Sequence, residues 1–221
     1  LVIYVKFFMS RKKKVVAKSK DHLIPHSKSY SRRKHDTRNL YKRFLIICEG
    51  TKSEPQYFKH FKHPGVKIKI IGTGKNTESL VDEAVKRKKD DIFDQVWCVF
   101  DKDDFPEDQF ENAIKQAERK GLNVAYSNQS FELWYVLHFE YLHTSIDRKY
   151  YIEKLEHYLN IKYTKNDPEI FSRLQKNITT AINNAEKLLM EYTDSHPEKD
   201  DPSTTVHKLV LELLRDKKNK S

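Results

Sequence analysis

Four acidic residues stand where a chain can do metal or acid–base chemistry. Glu49 closes the apolar run "FLIIC" (44–48) and precedes Gly50, while Asp101, Asp103 and Asp104 close "VWCVF" (96–100) as "DKDD". If the chain stays extended from Asp101 to Asp103, both side chains point to one side, because strand side chains alternate with period two. Glu49 from a neighbouring strand would complete a set of hard oxygens suited to Mg²⁺ or Mn²⁺, which take carboxylates together with water and substrate phosphate. Like charges crowded at one edge repel, and a cation offsets them. Each piece also has a plain alternative: a Glu-Gly after a strand is a common solvated turn, and "DKDDFPED" reads equally as an acidic loop entering a helix.

These positions depend on the elements that carry them. "FLIIC" predicts a strand, after which Ser53 offers an N-cap and Glu54 and Pro55 a first helical turn. "VKIKII" (66–71) predicts a second strand, and Leu80, Val81, Ala84 and Val85 form one apolar face of the helix that follows. "VWCVF" is apolar throughout, as a central parallel strand is. A helix over "ENAIKQAERKG", closed by Gly121, then leads to "LNVAYS" (122–127), a fourth strand ending in Ser127 and Asn128. Strand and helix in this alternation argue for a doubly wound α/β sheet with right-handed crossovers, whose ligand edge lies at the carboxyl ends of the strands. From residue 131 on, helical patterns dominate. The expected organisation is a basic arm over 1–43, an α/β core over 44–140 and a helical C-terminal extension over 141–221 packed on the core.

Charge is unevenly spread along the 221 residues, whose formal net charge is +10. Residues 11–43 carry 13 Lys and Arg against 2 Asp, whereas residues 44–221 carry 28 Lys and Arg against 30 Asp and Glu. A basic, Ser-rich arm with few apolar residues attracts polyanions and gains affinity by counterion release. Lys12, Lys13, Arg32, Arg33, Lys34 and Arg38 are therefore expected to contact nucleic acid; a solubilising tail is the alternative. Cys48 and Cys98 each sit inside an apolar run with no CxxC pair, which argues against a disulfide framework and for buried thiols in a cytoplasmic protein. The opening "LVIYVKFF" is too short for a membrane span and lacks a cleavage-like site, so no membrane association is expected. Because Met9 directly precedes "SRKKK", residues 1–8 are expected to lie upstream of the natural start.

An apolar strand ending in Glu-Gly, followed by Asp-x-Asp at the end of a later parallel strand, resembles the Toprim domain, the metal-dependent module of topoisomerases, primases and OLD-type nucleases. The likeness extends further. "IICEGTKSEPQYF", "VWCVFDKDDF", "AYSNQSFELWYVLHF" and "DPSTTVHKLV" occur in the order and approximate spacing of the RloB-like family, Toprim-related proteins of prokaryotic defence and restriction loci, over residues 40–215. The chain departs from the family pattern at Thr51 and Ser53, and at Gln129-Ser130 where Pro-Cys is usual; no carboxylate is lost. The resemblance implies a Toprim-like, Rossmannoid parallel sheet flanked by helices. It also implies a Mg²⁺- or Mn²⁺-dependent nuclease of antiviral defence or abortive infection, with an ABC/AAA-type ATPase partner. Within it Glu49 is the Toprim glutamate, acting as acid/base or metal ligand; Asp101 and Asp103 hold the ion, and Asp104 is a helper or the next helix's cap. Such sites polarise the phosphoryl oxygen and activate water with one or two ions. From a different class stands a non-catalytic nucleic-acid-binding or sensor subunit whose acidic edge holds an ion for structure.

A second group has paired readings. Glu54 is either part of the site or a dipole complement at a helix start. Glu132 completes the edge or is an early helical glutamate. Phe131, Trp134, Tyr135 and His138 follow helical spacing and read as core. "GTGKNT" (72–77) lacks P-loop spacing, which excludes an NTP site, though Lys75 remains a phosphate contact. Asn128 is a second-tier candidate, since the departure from the family pattern beside it is expected to alter the substrate pocket that the resemblance implies. His60 and His63 in "HFKH" read as surface. "STTVHKL" predicts a helix capped by Ser203 or Thr204, in which His207 and Lys208 either face the catalytic edge or dock the helix onto the sheet.

Overall fold

A computed structural model describes residues 41–74, 77–102 and 106–218. Strand β1 (Lys42–Cys48), helix α1 (Ser53–Phe58), β2 (Val66–Gly72), α2 (Thr77–Lys88), β3 (Gln95–Asp101), α3 (Glu107–Arg119) and β4 (Asn123–Asn128) alternate as the apolar periods require. Helices α4 (Glu132–Val136), α5 (Arg148–Leu159), α6 (Ile170–Leu174) and α7 (Ile178–Met190) follow, then β5 (Ser203–Thr204) and α8 (Val206–Lys218). The sheet order is β2-β1-β3-β4-β5. Its first four strands are parallel and β5 is antiparallel to β4.

Alternation along the strands divides the core between two faces. Phe44, Ile46, Cys48, Trp97 and Val99 pack beneath the helices of the C-terminal half, while Leu45, Ile47, Val96, Cys98 and Phe100 pack against α2 and α3. Both strands are thus apolar on both sides, the signature of a central parallel strand. Burial pushes the Cys98 thiol up to about 12 and the Cys48 thiol well up as well, so both are inert packing groups. Among the described residues no helix is long and apolar enough to cross a membrane.

Two details differ from the sequence reading. Ser203 and Thr204 form a strand, pairing antiparallel with Asn128 and Ser127, and the Thr204 hydroxyl both donates to the Tyr126 carbonyl at 2.9 Å and accepts from the Val206 amide at 3.3 Å, so Thr204 serves the sheet edge and the start of α8 together. Ser53 begins α1 without capping it; its hydroxyl instead donates to the Lys165 carbonyl at 3.2 Å, tying α1 to the loop between α5 and α6.

The end of β2 presses on the end of β1. Cys48 and Gly72 are register partners. A Cβ on Gly72 would lie 2.7 Å from the Gly50 carbonyl oxygen and 2.7 Å from Thr51 Cα, both backbone atoms that cannot swing aside. Gly72→Ala is therefore expected to cost about 1–3 kcal/mol. The check is denaturant unfolding of both proteins; an unchanged midpoint would show that the loop after β1 yields freely.

Candidate active site at the carboxyl edge of the sheet

The chain leaves β1 towards β2 on one side and returns to β3 on the other, so the crevice between the ends of β1 and β3 is the topological switch point of the sheet. Glu49 and Asp101 stand at its two lips. The Glu49 amide donates to the Val99 carbonyl at 2.8 Å, carrying the ladder one residue beyond β1. The Gly74 amide donates to the Glu49 carbonyl at 2.8 Å. Across the crevice, the Asp101 amide donates to Glu49 Oε2 at 3.3 Å, and the Phe131 amide donates to Asp101 Oδ2 at 3.0 Å. Backbone from three elements thereby aims two half-buried carboxylates at one place. With Glu54 and Lys165 they line a cleft of about 250 Å³.

Glu54 and Glu132 form the next layer. Both are almost fully buried, at 6% and 4% exposure. The Gly50 amide donates to Glu54 Oε1 at 3.2 Å, and a Cβ on residue 50 would collide with that carboxylate, which accounts for glycine after Glu49. The Tyr163 hydroxyl donates to Glu132 Oε1 at 3.0 Å. Burial raises the Glu54 carboxyl above the ordinary range, and the neighbouring Glu132 charge adds to the rise, against the pull of the Gly50 amide and the Lys165 ammonium. An aromatic cluster fixes the spacing of the two helices: Tyr57 of α1 meets Phe131 at 5.9 Å, Trp134 at 6.5 Å and Tyr135 at 5.6 Å between ring centroids. Such contacts add roughly 0.5–1.5 kcal/mol each beyond area burial.

Glu49 and Asp101 offer only hard oxygen donors, and Mg²⁺ is commonly held by one or two carboxylates with water and substrate phosphate filling the remaining positions. The residue types fit such an ion. Among the described residues no three His, Cys, Asp or Glu converge as a ligand set. Asp103 and Asp104 lie outside the described residues, as do Lys75 and the basic-arm residues Lys12, Lys13, Arg32, Arg33, Lys34 and Arg38.

The remaining candidates separate. Asn128 is buried and its side-chain amide donates to the carbonyls of Pro197 at 3.3 Å and Asp200 at 3.1 Å, so it anchors the 197–200 loop. His207 is buried in α8, and burial lowers its imidazole to about 4. Lys208 is exposed and lines a cavity with Trp97 and Asn123 at the opposite, amino-terminal ends of the strands. Its place on α8 belongs to docking. His138 is buried, with its Nδ1 2.9 Å from the Trp134 carbonyl oxygen, as a core histidine. Sequence reasoning missed Lys165 and Tyr163, which reach the edge from more than 100 and about 30 residues away from their partners Ser53 and Glu132. "YTKND" carries no local signal for that placement.

A family model described as RloB-like protein matches residues 44–213, which span the sheet and all of its carboxylate edge. No curated protein and no solved structure matches.

A folded-state pKa above the unfolded value means that Glu54 contributes stability below about pH 4.3 and loses it as pH rises through the folded value. Glu54→Gln keeps an acceptor for the Gly50 amide and removes the titration. In denaturant unfolding followed from acid to neutral pH, the wild-type midpoint is expected to fall relative to that of the variant; parallel profiles would show that the buried carboxylate costs nothing on ionising.

Proposed function

The chain belongs to the RloB-like family, and from that membership and its carboxylate edge we propose that it is a metal-dependent nuclease that hydrolyses phosphodiester bonds. The observation that carries the reading is the pairing of Glu49 and Asp101 across the switch point, linked by the 3.3 Å contact from the Asp101 amide to Glu49 Oε2. In this reading Asp101 and Glu49 hold Mg²⁺ or Mn²⁺, with Asp103 and Asp104 as further ligands from the segment that follows. The ion, when bound, neutralises charge on the phosphoryl group and lowers the pKa of water.

The chain's own part is positioning. The Phe131 amide on Asp101 Oδ2 leaves the other oxygen of that carboxylate directed by a fixed backbone. Glu49, whose backbone is held at both its amide and its carbonyl, serves either as a ligand of the ion or, in place of that role, as the group that exchanges a proton with the attacking water or the leaving oxygen. Lys165 places a positive charge in the same cleft, suited to a phosphate oxygen. Uncontrolled cleavage harms a host cell, so the reading includes a role in antiviral defence and control by an ABC/AAA-type ATPase partner.

The test is cleavage of labelled plasmid, single-stranded DNA and total tRNA in Mg²⁺ or Mn²⁺, with and without an ATPase encoded beside the protein. Asp101→Asn and Glu49→Gln preserve shape and are each expected to lower the rate by more than roughly a hundredfold, beyond the usual effect of an outer-shell change. Binding without cleavage by the wild type in every mixture would sink the nuclease and favour a non-catalytic nucleic-acid sensor.

A further inference from the structure

The loop between α5 and α6 is held at more points than a surface connection needs. Tyr163 is buried, and its hydroxyl donates to the buried Glu132 Oε1 at 3.0 Å. Its amide donates to Glu156 Oε1 of α5 at 3.0 Å, and its ring meets Tyr135 of α4 at 6.4 Å between centroids. Two residues on, the Lys165 carbonyl accepts from the Ser53 hydroxyl at 3.2 Å. The chain on both sides of Thr164 is thus fixed to α1, α4 and α5, where connecting segments usually run over the surface with more freedom.

What these bonds carry to the sheet edge is an ammonium group. Lys165 lines the cleft of Glu49, Glu54 and Asp101, and its charge pulls the Glu54 carboxyl down against the effect of burial. The Lys165 residue is exposed, and its side chain makes no ion pair or hydrogen bond among the described residues; the same is true of Lys52 on the same lip. By itself the cleft is acidic, with Glu49, Glu54 and Asp101 against Lys52 and Lys165. Glu54 already accepts from the Gly50 amide, and a divalent cation on Glu49 and Asp101 cancels their charge, which leaves the lysines in excess. In the wider cavity on the β5 side of the edge, about 640 Å³, the carboxylates of Glu107, Asp147, Glu198 and Asp201 outnumber the basic groups. A phosphate chain is therefore turned towards the Lys165 side.

We propose that the Tyr163–Glu132 and Ser53–Lys165 bonds form a strap that sets Lys165 against a phosphate of the nucleic acid next to the metal-bound one, so that Tyr163, Glu132 and Ser53 are positioning residues acting through Lys165. The proposal rests on the edge being a metal-dependent phosphodiesterase, and it gives Glu132 a part that is neither ion ligand nor helix-start charge. A lysine meets phosphate as a point charge on a flexible stem. Fixing its backbone beforehand leaves only that stem to be ordered when the strand arrives.

The experiment is a double-mutant cycle in the full chain with one labelled single-stranded oligonucleotide, made as DNA and as RNA. Affinity is measured by fluorescence anisotropy across a salt series in Ca²⁺, which takes the same oxygen ligands, and kcat/KM for cleavage in Mg²⁺. Lys165→Ala is expected to weaken binding about tenfold and to reduce the slope of log affinity against log salt by about 0.7, the share of one phosphate contact on a single strand. Tyr163→Phe keeps the ring, and Ser53→Ala removes no helix cap. Each is expected to cost about fivefold in affinity and in kcat/KM with Lys165 present, and nothing further in a Lys165→Ala chain. Ser53→Ala leaves the Tyr163–Glu132 pair intact and decides the matter alone if Tyr163→Phe does not fold. Equal losses in both backgrounds make these residues merely structural and overturn the proposal, as does an unchanged salt slope in Lys165→Ala or an absence of binding by the wild type. The expected binding pattern without turnover removes the nuclease and leaves the strap as a nucleic-acid contact; turnover indifferent to Lys165 does the reverse.

Discussion

The parallel pairing of β1 with β3 is the constraint from which the rest of the molecule follows. Both strands are apolar on both faces, so neither can lie at a sheet edge without exposing one of them to water, and together they take the middle. Their register, Phe44 opposite Gln95 through Cys48 opposite Val99, carries β3 two residues past the end of β1. Glu49 therefore lies beside the last residues of β3, where its Oε2 accepts from the Asp101 amide at 3.3 Å. A slip of one residue would turn every strand side chain to the wrong face, so the burial that stabilises the sheet also sets the spacing of the carboxylates.

That coupling explains why the surroundings of the site are crowded. The loop after β1 lies between Gly72 and Glu54; a Cβ at Gly72 would meet its backbone, and one at Gly50 would meet the Glu54 carboxylate, which would have to move. Glu54 and Glu132 are buried at a place where apolar residues would cost less in solvation, and they share it with donors from Gly50 and Tyr163. The tyrosines and Trp134 that surround Tyr57 supply the packing that holds two such carboxylates close. A rigid cradle of this kind suits chemistry in which a phosphate must be met by groups already in place.

The parts legible in the sequence are those whose physics is local. Four apolar runs marked β1 to β4, helical periods marked α2, α3 and α7, and the polar residues at the ends of β1 and β3 marked the edge. The block spacing that resembles the RloB-like family agrees with the family match over residues 44–213. What escaped was held by partners distant in sequence. Strand β5 is two residues long and polar, and it joins the sheet by pairing Thr204 with Ser127 and Ser203 with Asn128, more than 70 positions earlier. Ser53 looked like a cap because capping is a local rule, yet its hydroxyl serves the Lys165 carbonyl. Lys165 itself sits in a loop whose composition says nothing about where it lands.

The same distinction separates the two cavities. The carboxylate edge is legible in short motifs because Glu49 and Asp101 stand at strand ends, and strand ends are set by adjacent residues. The larger cavity is assembled from β4, the start of α5 and the 197–201 loop, brought together by Asn128 and Gln129 acting over roughly 70 residues of chain. Gln129 and Ser130 stand where the family resemblance of the sequence led one to expect Pro-Cys. Gln129 donates to Asp201 through its amide nitrogen and accepts from the Arg148 amide through its oxygen at 3.2 Å, two bonds that neither proline nor cysteine could make in that form. Gln129 therefore ties the 197–201 loop to the start of α5, a structural part that its side chain, and not a strand pattern, supplies.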